Sequence, residues 1–276
     1  MPFLKIDDGD KSVSLYFEDY GQGKPVVLIH GWPLSHRMWE PQVAPLVAAG
    51  YRVISYDRRG FGDSDKPWDG YDYDTFAADL QALLITLELQ DVTLVGFSMG
   101  GGEVARYLGR YGSERVSKAV LAAAVTPYLL KTDDNPDGVD KGLFDGFRSE
   151  IEKDRLAFMD GFTKMFVNWD DANPPISKEQ QHYSHTIAAL ASPRGTEQCV
   201  IAFSETDFRA DLAQFTVPTL LIHGDSDQIV PLEVSAQKAA PLIAGSRLEV
   251  VSGAPHGLNL THKNEFNRLL LEFLQS

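Results

Sequence analysis

A chain of 276 residues, 43% hydrophobic and 23% charged, is long enough to bury one large core without disulfide or metal staples. A formal charge of -14 argues against nucleic acid and anionic membrane surfaces as partners. The lone Cys199 excludes an internal disulfide framework and a cysteine metal cluster, and reads as a small buried hydrophobe.

Phe3–Ile6 and Ser12–Glu18 alternate apolar and polar residues around Asp8-Gly9-Asp10, which predicts an antiparallel hairpin. Pro25–His30 is a continuous apolar run, as expected of a strand buried on both faces. A helix near Trp39–Ala49 closes on Gly50, and Tyr51–Tyr56 reads as the next buried strand. Tyr73–Leu87 has helical apolar spacing at Phe76, Leu80, Leu83, Leu84 and Leu87. A strand from Asp91 and a helix over Glu103–Gly109 follow, then a strand over Val116–Ala124. This alternation predicts an α/β fold with a mostly parallel twisted sheet and helices on both faces. The rhythm breaks at Val125, and a strand at Val217–His223 restores it. A helix around Pro231–Ile243, a strand at Arg247–Val251 and a helix from about Asn264 to Leu274 complete the pattern. The expected organisation is a core of residues 1–124 and 217–276, with 125–216 inserted as a helical cap. Met1–Lys5 lacks the basic and apolar regions of a signal peptide, and no apolar run matches a bilayer, so a soluble cytoplasmic protein is expected.

The chemistry centres on Gly96-Phe97-Ser98-Met99-Gly100, a G-x-S-x-G nucleophile elbow between a strand and a helix. A strand turning straight into a helix lifts the serine above the sheet, and small flanking residues let neighbouring backbone pass. A serine hydroxyl needs a base, and that base an orienting acid, in the chain order Ser, acid, His. His256 follows the last strand in Gly253–Gly257 and is the expected base. His182 and His185 lie in the insertion, His262 leads into the final helix, and His223 reads as a hydrogen-bonded core residue. Two aspartates compete for the acid: Asp225 reads as a turn former, and Asp227, deeper in the loop, is the expected partner of His256. The N–H groups of Met99 and Trp32 are the expected oxyanion hole, and His30 reads as a brace for that loop. No cluster has metal-ligand spacing, so neither metal nor cofactor is expected.

With these parts located, the chain resembles the α/β-hydrolases nearly end to end, and within them the cofactor-free (non-heme) haloperoxidase and aryl esterase family. The resemblance rests on Leu28–Leu34, Tyr56–Ser64, Gly96–Gly102, Ala124–Pro127, Glu205–Arg209, Gly224–Pro231 and Ala254–Gly257. It implies the same triad, Ser98, Asp227 and His256, with Trp32 and Met99 as the oxyanion hole. It also implies hydrolysis of small esters alongside perhydrolysis, in which hydrogen peroxide takes the acyl group and releases a peracid. Pro33, after the oxyanion tryptophan, matches perhydrolase-type members, where its fixed φ would tilt the Trp32 carbonyl toward peroxide. Trp32, Phe97, Met99, Ile229 and Val230 neighbour the catalytic residues in sequence and are expected on the acyl side. The resemblance adds Phe147, Phe162, Phe166 and Phe203. Phe158, Phe162 and Phe166 are spaced by four as a helical stripe. Expected partners are a small ester or acid and hydrogen peroxide, with self-association open. Lactone or cyclic-amide hydrolysis by the same triad, and a hydrolase-fold ligand receptor, are the alternatives.

Overall fold

The computed structural model describes residues 2–9 and 11–276. Among them, eight strands form one sheet in the order β1-β2-β4-β3-β5-β6-β7-β8. β1 (Phe3–Asp8) and β2 (Lys11–Tyr20) form the expected hairpin, although Asp10 of its turn lies outside the described residues. β2 pairs antiparallel with β4 (Arg52–Tyr56). β4 pairs parallel with β3 (Pro25–Ile29), which leads through β5 (Val92–Phe97), β6 (Val116–Ala122) and β7 (Thr219–Gly224) to β8 (Arg247–Val251), all parallel. The unbroken apolar runs have their cause here: Val26–Ile29 and all of β5 are buried, because the sheet is covered on both faces.

The covering helices are α1 (Glu40–Ala48), α2 (Tyr73–Thr86), α3 (Met99–Tyr111) and the last helix, α10 (Lys263–Gln275). α2 packs on α3, and α1 on α10. Between β6 and β7 the chain runs through α4 (Lys141–Phe166), α5 (Lys178–Ala189), α6 (Pro193–Glu205) and the single turn α7 (Arg209–Leu212). α4 is two helices joined at Asp154, whose backbone leaves helical geometry while its carboxylate caps Ala157 N at 3.0 Å.

One expected helix is not continuous. Residues 231–243 form short turns over Leu232–Val234, α8 (Ala236–Ala239) and Ala240–Leu242. Ser235 takes non-helical angles, and Pro241 has no N–H to extend a longer helix. Beyond β8 come α9 (Leu258–Thr261) and then α10. No described helix is long and apolar enough to cross a membrane.

Two buried side chains tie the loops at the carboxyl end of the sheet to the body. Arg58, after β4, donates to Glu103 Oε2 of α3 at 2.7 Å and to the carbonyl of His30 at 3.0 Å. His30, after β3, accepts from Arg58 N at 3.0 Å through Nε2, so Nδ1 carries the proton and donates to Gly31 O at 2.9 Å. This neutral ring braces the loop that leads into Trp32. Burial and the nearby Arg58 cation push its pKa down to about 3.

Candidate active site

Ser98 sits between β5 and α3 with φ +54° and ψ -117°, a strained conformation for a residue with a side chain. The flanking glycines make the turn possible. A Cβ on Gly96 would meet Gly100 O at 2.3 Å, and one on Gly100 would meet Ile29 O at 2.4 Å. Gly31 runs equally close: its Cβ would lie 3.2 Å from that of Ser98. The Gly31–Trp32 backbone therefore passes beside the serine. Met99 is the first residue of α3, so its N–H has no acceptor within the helix.

Ser98 Oγ and His256 Nε2 are 2.9 Å apart, and His256 Nδ1 and Asp227 Oδ2 are 2.7 Å apart. All three residues are buried. Phe97 and Phe166 pack their rings on His256 at 5.3 and 5.1 Å. Asp227 Oδ1 accepts from Ile229 N at 2.9 Å and Val230 N at 2.8 Å, so the loop after β7 is wound around its carboxylate. Burial alone would raise its pKa, but His256 and the hydrogen bonds from both neighbouring histidines outweigh that and hold Asp227 well below the usual carboxylate range. Asp225, the other candidate, accepts from Gly253 N at 2.6 Å and shapes the turn beside the histidine loop.

An apolar cleft opens at Ser98, walled by Trp32, Phe147, Phe162, Phe203, Ile229 and Val230, all six expected there from sequence. Val125, Leu129, Leu143 and Phe144 complete it, and nothing in the sequence had singled them out. Its free space is about 20 Å³, little more than the roughly 10–15 Å³ one water needs. The Trp32 indole stacks edge-on to Phe162 at 4.8 Å and donates to Thr196 O of α6 at 3.0 Å.

Met99, at the head of α3, does not line the cleft, and three further expected wall residues lie elsewhere. Phe97 points into the core, between Trp39 and Phe166, because the outward position of the elbow belongs to Ser98. Phe166, two turns along α4 from Phe158, reaches past the cleft and covers the far side of His256. Pro33, joined to Trp32 by a cis peptide bond, is buried under the loop. The contact least legible from sequence is His223. Its Nε2 lies 2.8 Å from Val230 O and 3.2 Å from Asp227 Oδ2, so this core histidine also touches the acid. Among the described residues, no group of three or more His, Cys, Asp or Glu side chains could hold a metal ion.

A hydroxyl raised on a strand-to-helix turn, with an imidazole at hydrogen-bond distance and a carboxylate behind it, is the geometry of a serine hydrolase built on a parallel sheet. The chain belongs to the alpha/beta hydrolase fold family, whose model matches residues 24–263, and within it to the non-heme haloperoxidases and esterases. It is 44% identical to a non-heme chloroperoxidase of Kitasatospora aureofaciens over 99% of both chains. It is 37% identical to a bifunctional esterase/perhydrolase of Acinetobacter calcoaceticus over the full length of both. The crystal structure of a bromoperoxidase from Bacillus anthracis superposes with a TM-score of 0.95 at 55% identity, covering 99% of this chain and 100% of that one.

Proposed function

We propose that this protein hydrolyses small carboxylic esters through an acyl-Ser98 intermediate and passes the same acyl group to hydrogen peroxide. The observation that carries this reading is the relay from Ser98 through His256 to Asp227, at 2.9 and 2.7 Å, opening on an apolar cleft. His256 Nε2 takes the Ser98 proton as Oγ attacks the acyl carbon. The N–H groups of Met99 and Trp32 receive the developing oxyanion. Asp227, ionised and bonded to Nδ1, fixes the tautomer and stabilises the imidazolium. The proton then goes to the departing alcohol, leaving the acyl group on Ser98.

Water, deprotonated by His256, releases the acid and frees the serine. Hydrogen peroxide in place of water gives up a proton to the same nitrogen as one of its oxygens bonds the acyl carbon. The bond to Ser98 Oγ then breaks, Oγ takes the proton back, and both peroxide oxygens leave in the peracid. The peracid oxidises halide in solution and returns to the acid. The names of the relatives, which include chloroperoxidases and an esterase/perhydrolase, support both branches. Residues 125–216 are proposed as the cap over the sheet, with Phe144, Phe147, Phe162 and Phe203 as its contribution to the cleft. The narrow free space favours short acyl groups.

Initial rates on nitrophenyl esters of increasing acyl length, beside simple lactones, test this with and without peroxide. Acetate and propionate esters are expected to turn over fastest, with peracid formed when peroxide is added. Lactones cleaved faster than every ester, with no peracid, would overturn the proposal.

A further inference from the structure

A second cavity, of about 240 Å³, lies between β2, β4 and α1, with Tyr183 of α5 on its wall. It shares no lining residue with the cleft at Ser98. Two buried polar side chains line it, each with one atom that lacks a hydrogen-bond partner. His36 is 3% exposed and Ser55 is 1% exposed, and among the described residues His36 Nε2 and Ser55 Oγ make no hydrogen bond. Buried polar atoms are normally satisfied, so two orphans on one cavity require an explanation.

The chemistry of the occupant follows from the wall. His36 Nδ1 lies 2.8 Å from Asp57 Oδ1, which also accepts from the His36 backbone N–H at 2.7 Å. Burial would raise Asp57, but the hydrogen bonds it accepts from His36 hold it below the usual carboxylate range, so Nδ1 is the donor. In the neutral ring this leaves Nε2 as a lone-pair acceptor. It faces Glu18 Oε1 at 3.4 Å, a second acceptor. A group with several N–H donors and a positive charge satisfies Nε2, Glu18 and Ser55 Oγ at once. Glu40 adds a second carboxylate to the wall, and the Tyr20 and Tyr183 rings suit a cation. Arg37 also lines the cavity, but its guanidinium is paired with Asp63 at 2.6 Å. We propose that this cavity is a binding site for a small organic ammonium ion.

Calorimetric titration and thermal melting at low salt, with benzylammonium chloride as the probe, test the site. Saturable one-to-one binding that raises the melting temperature is expected, with benzyl alcohol and sodium benzoate binding far more weakly. Ser55→Ala removes a hydroxyl that has no protein partner, so it should fold as stably as the parent. It should weaken the ammonium about threefold to tenfold. Glu18→Gln should weaken it by about tenfold or more, the loss of a charged acceptor. His36→Asn keeps a donor for Asp57, drops Nε2 and should weaken binding to a similar degree. The proposal is overturned by absence of saturable binding, by equal binding of the alcohol or of benzoate, or by one affinity shared by the parent and all three variants.

Discussion

His256 and His36 each place ring Nδ1 against a buried aspartate, at 2.7 Å from Asp227 and 2.8 Å from Asp57. Both carboxylates also anchor backbone: Asp227 accepts from Ile229 and Val230, Asp57 from His36 and Asp63. The two pairs differ in what the second ring nitrogen meets. For His256 it is Ser98 Oγ at 2.9 Å, on a residue with φ +54° at the start of a helix. For His36 it is Glu18 at 3.4 Å, on the wall of a cavity. A carboxylate on an imidazole is thus an orienting device of general use. What makes one pair a candidate for catalysis is the strained hydroxyl beside it, with backbone N–H groups around the point of attack.

The largest effect expected is at the hydroxyl itself. Ser98→Ala should leave a folded protein whose ester turnover retains at most the about 10³–10⁴-fold advantage over water that an oxyanion hole and binding provide. Steady-state hydrolysis of nitrophenyl acetate measures it, and near-parental rates would remove Ser98 from the mechanism. Next come the two aspartates. Asp227→Asn should cost on the order of 10⁴ in kcat by presenting the wrong tautomer of His256. Asp57→Asn should leave kcat within a few-fold while lowering stability by roughly 2–4 kcal/mol, since several buried hydrogen bonds converge on that carboxylate. Side-by-side kinetics and urea melts would show the reverse pattern if the wrong pair had been placed at the site.

His30 sharpens the comparison from the other side, because its ring nitrogens bond backbone groups and not a carboxylate. Folded His30 stays neutral down to about pH 3. An unfolded histidine takes a proton below about pH 6.5. Within that window the unfolded chain binds more protons, so stability is full above it and falls as pH falls through it. Between pH 6.5 and 4.5 this group should cost about 2–3 kcal/mol. Urea melts of the parent and of His30→Gln at both pH values isolate it, and parallel stability curves would contradict it. The smallest effect expected is at His223, which touches the same Asp227 oxygen, Oδ2, that bonds His256. His223→Gln should lower kcat by a few-fold to about tenfold, the value of one hydrogen bond to the acid. An unchanged kcat would make His223 a core residue and nothing more.

The parts legible in the sequence are those that backbone sterics dictate locally. Gly96-x-Ser98-x-Gly100 announces the elbow because backbone passes within 2.3–2.4 Å of where side chains on those glycines would begin. The parallel strands show as apolar runs because both their faces are buried. Chain order and turn chemistry point to Asp227 and His256, which the fold brings to 2.7 Å of each other. What the sequence hides is orientation and long-range contact. The stripe Phe158, Phe162, Phe166 shows a helix face, but eight residues of helix span about 12 Å. One end of that stripe therefore meets Trp32 and the other His256. Residues 231–243 have helical composition, yet the non-helical Ser235 and Pro241 divide them into single turns. His36 opens a 3-10 turn and Asp57 follows β4, with nothing in the spacing to link them, so their pairing emerges only when β2, β4 and α1 pack.

The most direct test of the shared acyl intermediate is rapid-quench intact-mass analysis of the enzyme mixed with nitrophenyl acetate. An adduct of one acetyl group, mapped to the Ser98 peptide, should build up within the first turnover. Adding hydrogen peroxide should speed its decay in step with peracid release. An adduct that never forms, or one whose decay is indifferent to peroxide while peracid still appears, would contradict a mechanism in which both branches part from acyl-Ser98.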